Sequence, residues 1–264
     1  MSFYLIPNMD KKNIFFLEAG INHFGKIKEA NEYLNYFLNS KFNYLTFMLQ
    51  TEKFYNKYKR KINFHLPSSF YEKAIKLCHK RNKKIGIAVC DLKTFKPLSN
   101  LNFDFYKLLG LSINNKELIN ELRKKKKRVF ISLSKGSNQK IKKCLNYFNN
   151  RSKLNLIYTS MSYDPADLNL KRITDLKKRF KLPVGYGHHY NDSFPLFLSL
   201  FYKPSFCFVY IKSFSKLNRK YPDDDHAFLI KDLNKLYNDI QEAKLILNNK
   251  RINTKIKLAE RIKF

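Results

Sequence analysis

The amino-acid sequence predicts an α/β fold in which strands alternate with helices. Eight apolar segments of strand length occur along the chain, each bounded by turn or polar residues. Helical apolar spacing appears between most of them, and this alternation is typical of parallel βαβ units. The chain has 264 residues, and a closed (β/α)8 TIM barrel needs roughly 250. Eight units therefore suggest a single-domain (β/α)8 barrel, although these patterns alone also allow an open doubly wound sheet.

The predicted strands are apolar runs that stop at polar or turn residues. The first is the most informative, because its apolar run ends at Glu18 and the chain then turns between Gly20 and Gly25. A strand buried on both faces gives such a continuous run. The eight predicted strands are Ile14–Gly20, Tyr44–Leu49, Ile85–Cys90, Phe105–Leu109, Val129–Ser132, Leu154–Thr159, Pro183–Gly187 and Phe206–Ile211.

The predicted helices carry apolar residues three and four positions apart, which places them on one face. Asn114 and Asn115 can cap the helix that follows them. The apolar faces and helical stretches are Ile27, Ala30, Leu34 and Phe37; Leu118, Ile119 and Leu122; Gln139–Phe148; Leu170–Phe180; and Leu233, Leu236, Ile240, Ala243 and Leu247.

The composition excludes a disordered chain, because 44% of the residues are apolar and there are 24 Phe and 17 Tyr. The 52 basic and 21 acidic residues give a net charge of +31, which raises nucleic acid as a partner. The Lys residues are spread along the whole chain, and no nucleic-acid-binding signature accompanies them. The basic run Lys124–Arg128 ends a predicted helix, where cations favour the dipole. We therefore do not expect nucleic acid as the partner.

The cysteines and the apolar segments indicate in which compartment the protein is expected. Cys78, Cys90, Cys144 and Cys207 form no C-x-x-C pair, so neither a disulfide framework nor a structural zinc site is expected. No apolar run reaches the ~18 residues of a membrane-spanning helix, and the first residues lack the pattern of a signal peptide. We expect a cytoplasmic protein without a membrane partner.

Three stretches resemble the sialic acid (N-acetylneuraminate) synthase family. In that family the first strand ends in Glu followed by Gly-Ile-Asn-His-x-Gly, and Glu18–Gly25 reads Glu-Ala-Gly-Ile-Asn-His-Phe-Gly. Pro222–Phe228 is similar to the family's Gly-Pro-Asp-His-Ala-Phe, and Val184–Tyr190 to its Gly-Tyr-Ser-Asp-His. The resemblance runs from Ile14 to about Asn249. It implies a (β/α)8 barrel that condenses phosphoenolpyruvate with an N-acetylated amino sugar, using a divalent metal, Mn²⁺ or Mg²⁺.

The resemblance also implies the roles of individual residues at the carboxyl ends of the strands, where barrels build their sites. Each role is carried over by matching motifs. The implied catalytic residues are Glu18 and Asp225; the substrate-binding residues are Asn22, His23, Gln50, Lys107, Ser132, Tyr163 and Tyr186; and the metal ligands are His189 and His226.

The chain departs from the family pattern at the phosphate and metal positions. Met48 stands where the family has a phosphate-binding Lys, and Ala88 where it has a hydroxyl. Ser213 stands where it has a second metal-binding His. These departures remove three groups with which the family holds phosphate and metal.

Two functional hypotheses therefore stay open. The first is a synthase-like enzyme that forms a nonulosonic (sialic-type) acid, with reduced or altered activity. The second is a non-catalytic homologue that binds a sugar or serves as a partner subunit. We expect the barrel to occupy residues 1–249 and a basic tail residues 250–264, without the antifreeze-like domain that family members carry after the barrel. A homo- or hetero-oligomer is expected, as in the family.

Overall fold

Eight parallel strands that close into a barrel form the centre of the computed structural model, which describes residues 14–59, 63–134, 137–213 and 220–248. Each strand pairs with the next, and the first pairs with the eighth. This closed order confirms the predicted (β/α)8 barrel. The strands are β1 (Ile14–Gly20), β2 (Tyr44–Met48), β3 (Lys84–Val89), β4 (Phe105–Leu108), β5 (Arg128–Ser132), β6 (Leu154–Tyr158), β7 (Val184–His188) and β8 (Phe206–Lys212).

Helices follow the strands along the chain and pack around the barrel. After β8, the short strand β9 (Phe228–Leu229) pairs with its end, and the last helix follows. The helices are α1 (Ile27–Asn39), α2 (Glu52–Tyr58), α3 (Ser68–Lys80), α4 (Leu92–Phe95), α5 (Lys116–Lys124), α6 (Asn138–Asn146), α7 (Arg172–Phe180), α8 (Phe194–Phe201) and α9 (Leu233–Asn248).

Side-chain caps explain where several helices begin. Asn115 Oδ1 accepts a hydrogen bond from the backbone N–H of Leu118 at 3.0 Å, which confirms the predicted cap of α5. Thr51 caps α2 in the same way, and Ser137 caps α6. The predicted basic run begins at the last residue of α5, where cations meet the negative end of the helix dipole.

The alternation of side chains along each strand separates an outer from an inner core. The outer core lies between strands and helices and includes Leu17, Leu45 and Ile87. The inner core is a cluster that is mostly phenylalanine, in which Phe16 stacks on Phe208 with ring centroids 4.5 Å apart. We call this inner cluster the aromatic plug; its buried members are Phe16, Phe105, Phe130, Ile157, Phe206 and Phe208.

The aromatic plug fixes the position of the site. In a strand, residues two apart point to the same side. Glu18, Lys107, Ser132 and Tyr210 each follow a plug phenylalanine by two positions, on β1, β4, β5 and β8. Their side chains therefore stand above the plug at the carboxyl ends of the strands, which we call the mouth of the barrel.

The described residues 14–248, with their gaps, contain no helix long and apolar enough to cross a membrane. The predicted basic tail, residues 250–264, lies outside the described residues. Residues 1–13 lie outside them as well, so the predicted domain bounds stay predictions.

Candidate active site

A buried ion pair lies at the centre of the mouth. Glu18 on β1 and Lys107 on β4 belong to strands that are not neighbours, so the pair spans the barrel interior. The Lys107 ammonium lies 4.9 Å from the ring centroid of Phe208 and 3.5 Å from the Tyr210 hydroxyl. The side chain of Glu18 is 0% exposed and that of Lys107 4%. Each charge of a pair withdrawn so far from water needs the other, because either one alone would be a buried charge without a partner.

Burial governs the electrostatics of Glu18. Desolvation raises the pKa of the Glu18 carboxyl, and the nearby ammonium of Lys107 opposes that rise. Oε2 of Glu18 meets Lys107, whereas Oε1 is buried without a hydrogen-bond partner among the described residues. A buried acceptor without a partner costs about 1–3 kcal/mol. Glu18 therefore offers one acceptor atom to a ligand.

Asp223 brings a second carboxylate to the same place. It lies against Gly20, where an added Cβ would stand 2.6 Å from Asp223 Oδ2. Gly20 also adopts φ +54°, a left-handed conformation that favours glycine. Asp223 Oδ2 is buried without a hydrogen-bond partner in the described part of the chain. Burial, and next the charge of Glu18, raise the pKa of Asp223 to about 7, against the opposing effect of Lys107.

Asp223 is a residue of the candidate site that the sequence analysis did not predict. The predicted catalytic residue was Asp225, whose side chain is exposed, while Asp223 is the aspartate that reaches the mouth. The chain has three consecutive aspartates between Pro222 and His226, where the family has one. The available signal was adjacency, because Asp223 directly follows the proline, as the single Asp does in the family motif.

Two histidines and a tyrosine complete this side of the mouth. Tyr163 places its hydroxyl 3.1 Å from Nδ1 of His226, and Nε2 of His226 lies 3.7 Å from Asp223 Oδ1. This arrangement suits the tautomer in which the tyrosine donates to Nδ1 and Nε2 carries the ring proton. The ring of His189 stacks on that of His226 with centroids 4.4 Å apart. Burial lowers the pKa of His226 to about 4 and that of His189 well below its usual value, so both rings are neutral near pH 7.

Asn22 and His23 lie in the turn after β1, where they hold backbone groups. Asn22 donates from Nδ2 to the Ile211 carbonyl at 2.9 Å and accepts the N–H of Asp223 on Oδ1 at 3.2 Å. His23 accepts the N–H of Gly25 on Nδ1 at 2.9 Å. Desolvation lowers the pKa of His23 to about 3. These two predicted substrate-binding residues therefore position the turn and Asp223.

The remaining predicted substrate-binding residues divide between the mouth and the outer core. Ser132 ends β5 two positions after the plug residue Phe130, so its side chain is on the inner side of the barrel. Gln50 follows β2 and places Nε2 4.0 Å from the Met48 sulfur. Tyr186 is not brought to the mouth, because it packs in the outer core, with its ring centroid 5.9 Å from that of His188. The outward position results from strand alternation: Gly185 and Gly187, on either side of Tyr186, face inward.

The wall of the mouth at β2 and β3 is apolar. Met48 and Ala88 are register partners on these strands, and both belong to a buried cluster with Phe24 and Tyr221. They occupy the positions where the family resemblance calls for a phosphate-binding lysine and a hydroxyl. This wall therefore offers contact surface but no charge.

The described residues do not form the ligand set of a divalent metal. No group of three or more His, Cys, Asp or Glu side chains suited to a metal lies within residues 14–59, 63–134, 137–213 and 220–248. His189 and His226 stack their rings. Ser213, at the position of the family's second histidine, donates its hydroxyl to Glu32 on α1 at 2.7 Å. The divalent metal therefore stays a prediction, and His189 and His226 are two of the donors that it would need.

Comparisons with known proteins found a matching family model and a curated relative. The sequence model of the NeuB family matches residues 18–251. The N,N'-diacetyllegionaminic acid synthase of Campylobacter jejuni is 24% identical over 205 residues, which cover 68% of this chain and 61% of that enzyme. The matched part thus spans less than two thirds of the curated relative.

Solved structures share the fold at low sequence identity. The N-acetylneuraminic acid synthetase of Leptospira borgpetersenii superposes with a TM-score of 0.80 and 19% identity, over 94% of this chain and 89% of that one. A spore coat polysaccharide biosynthesis protein from Bacillus subtilis gives a TM-score of 0.76 and 16% identity, over 92% and 72%. The family match covers most of the chain and includes Glu18, Lys107 and Asp223. The chain therefore belongs to the NeuB family of sialic acid synthase-like proteins.

Proposed function

We propose that this chain is a synthase-like enzyme of carbohydrate biosynthesis that condenses phosphoenolpyruvate with an N-acetylated amino sugar to a nonulosonic acid. The observation that carries the proposal is the buried Glu18–Lys107 pair, with Asp223 beside it, at the mouth of a NeuB-family barrel. The Campylobacter relative is named for a related sugar acid.

The reaction forms one carbon–carbon bond and releases phosphate. The methylene carbon of phosphoenolpyruvate attacks the aldehyde carbon of the open-chain sugar, whose oxygen takes up a proton. Water adds to the carbon that bears the phosphate, phosphate leaves, and a 2-keto acid remains. The chain must therefore hold an anion, hold a polyhydroxylated aldehyde, and supply a proton to the aldehyde oxygen.

The residues of the mouth suit these three tasks. Lys107 and Ser132 hold phosphoenolpyruvate by one of its anionic groups, the ammonium by a charge-assisted hydrogen bond. Glu18 and Asp223 accept hydrogen bonds from sugar hydroxyls through their unpaired oxygens. Asp223 is the proton donor, because a carboxyl with a pKa of about 7 is protonated in a large fraction of molecules near neutral pH.

A second candidate is a homologue that binds the sugar without turning it over. Met48 and Ala88 favour it, because they place an apolar wall where a phosphate would need charge or a hydroxyl. The two candidates differ in phosphate release and agree in sugar binding.

The test is phosphate release from phosphoenolpyruvate by the purified chain. N-acetylmannosamine or a diacetamido hexose is the second substrate, and each is tried with and without Mn²⁺. We expect release that requires the sugar and disappears in Lys107→Met. The matched control is Lys93→Met, which removes a lysine that pairs with Glu52 at the surface at 3.0 Å. Sugar binding without release would refute condensation for that sugar and favour the second candidate.

A further inference from the structure

The ammonium of Lys107 is already occupied in the structure. Its partners are the Glu18 carboxylate, the Tyr210 hydroxyl at 3.5 Å and the face of the Phe208 ring. An anion that approaches Lys107 therefore meets the negative charge of Glu18 in a site sheltered from water. Like charges repel strongly there, because little solvent screens them.

The other groups that face Lys107 do not remove this conflict. The ring of Tyr210 carries a neutral hydroxyl, since burial raises its pKa well above the usual value. His189 and His226 are neutral near pH 7, because burial depresses the pKa of each ring. Asp223 adds negative charge whenever it is ionised. An anion therefore gains little binding free energy from Lys107 as long as Glu18 keeps its full charge and has no other hydrogen-bond donor.

The same side of the mouth lacks hydrogen-bond partners that a neutral polyol could supply. Glu18 Oε1, Asp223 Oδ2 and His226 Nε2 are buried and have no hydrogen-bond partner within the described residues. The first two are acceptors, and Nε2 of His226 is a donor in the tautomer assigned above. A pair of neighbouring hydroxyls, each of which donates and accepts, complements this set.

We propose that Glu18 couples the two ligands of the mouth, so that a polyhydroxylated ligand donating to Glu18 raises the affinity of Lys107 for an anion. This inference rests on the proposed function, because it concerns the same site. Hydroxyl groups that donate hydrogen bonds to Glu18 stabilise its negative charge. The attraction between Glu18 and Lys107 and the repulsion between Glu18 and the anion then both become weaker. By thermodynamic linkage, the anion raises the affinity for the polyol by the same factor.

The experiment measures binding without turnover. Inorganic phosphate is the anion, because it cannot react with the sugar, and N-acetylmannosamine is the polyol. Calorimetry of the full chain gives the dissociation constant of phosphate with and without saturating sugar, and that of the sugar with and without saturating phosphate. We expect both constants to fall by the same factor, about tenfold, within the usual range of couplings between sites.

Two variants locate the coupling in Glu18. Glu18→Gln removes the charge that competes for Lys107, so phosphate binds more tightly without sugar, and the coupling falls to within about twofold. Glu121→Gln is the control, because Glu121 forms ion pairs with Lys124 and Lys125 on α5; it leaves the coupling unchanged. If Glu18→Gln fails to fold, the size of the wild-type factor still tests the proposal, because a factor of one overturns it.

The outcomes separate this inference from the proposed function. Equal phosphate affinity with and without sugar overturns the coupling, and so does an absence of phosphate binding in the presence of sugar. Coupled binding without phosphate release from phosphoenolpyruvate supports the inference and refutes the condensation. Phosphate release without coupling supports the condensation and refutes the inference.

Discussion

Removal of Lys107 tests whether the Glu18–Lys107 pair acts as a buried pair. In Lys107→Met, the carboxylate of Glu18 stays in the barrel interior without its partner. Breaking a buried ion pair by removing one member costs about 3–5 kcal/mol of unfolding free energy. We expect a loss of that size at alkaline pH, because Glu18 is 0% exposed and cannot turn to water without rearrangement.

The pH dependence follows from the direction of the pKa shift. Burial raises the pKa of Glu18 above 4.5, so the folded protein binds more protons than the unfolded chain. Stability therefore falls as pH rises from about 4.5 through the raised pKa, by up to ~1.4 kcal/mol per pH unit for one proton. Loss of Lys107 raises this pKa further, so the variant loses more stability at about pH 8 than at about pH 5.

The assay is urea unfolding at both pH values. The chain contains no tryptophan, so unfolding is followed by far-ultraviolet circular dichroism. The double variant Glu18→Leu with Lys107→Met removes both charges and should recover stability to within ~1 kcal/mol of the wild type, because replacing both partners by apolar groups is often neutral. A small loss in Lys107→Met that does not change with pH, like the loss expected for the exposed pair of Lys93, would refute the buried-pair argument.

Three further predictions concern other parts of the barrel. Asp223→Asn should slow phosphate release about 100-fold. It should also remove the decline in rate above pH 7, which deprotonation of a carboxyl with a pKa of about 7 causes. The control Asp225→Asn, at an exposed residue, should stay within about twofold of the wild-type rate, and equal losses in the two variants would contradict the assignment of Asp223 as proton donor. Gly20→Ala should lower the free energy of unfolding in urea by about 1–2 kcal/mol, because Gly20 adopts a left-handed φ. It should also weaken sugar binding in calorimetry, because the added Cβ would displace Asp223 Oδ2. An unchanged sugar affinity would argue against Asp223 in the site. Phe16→Ala should lower the free energy of unfolding in urea by about 3–5 kcal/mol, because it opens a cavity in the aromatic plug. The control Phe201→Ala, at a residue that is 69% exposed, should change it by less than ~0.5 kcal/mol. Similar losses in both variants would contradict the packing argument.

The strands could be predicted from the sequence because each is an apolar run with a clear polar or turn boundary. The predicted ends fall within one residue of the observed ones: Tyr44–Leu49 was predicted for β2 (Tyr44–Met48), and Pro183–Gly187 for β7 (Val184–His188). A strand buried on both faces leaves no polar alternation to read. The sequence therefore located the strands but not which residues face inward, and so Tyr186 was predicted at the mouth while it packs in the outer core.

The candidate site could be predicted only in part. Glu18, Lys107 and Ser132 were predicted as site residues, and the structure places their side chains above the aromatic plug. The ion pair between the first two joins residues that are 89 positions apart in the chain, so only the closed geometry of the barrel reveals it. The choice between Asp223 and Asp225 also depended on the tertiary position of Gly20, which no local pattern contains.

The side chain of Asn22 connects ligand binding at the mouth to the stability of the first and last strands. Its amide nitrogen donates to the end of β8, and its amide oxygen accepts the backbone N–H of Asp223. Both bonds lie at the seam where the first and last strands pair. A ligand that fixes Asp223 therefore also tightens the seam that joins the two ends of the barrel. Amide hydrogen exchange along β1 and β8 should slow when the mouth is filled, even for a ligand that is never turned over.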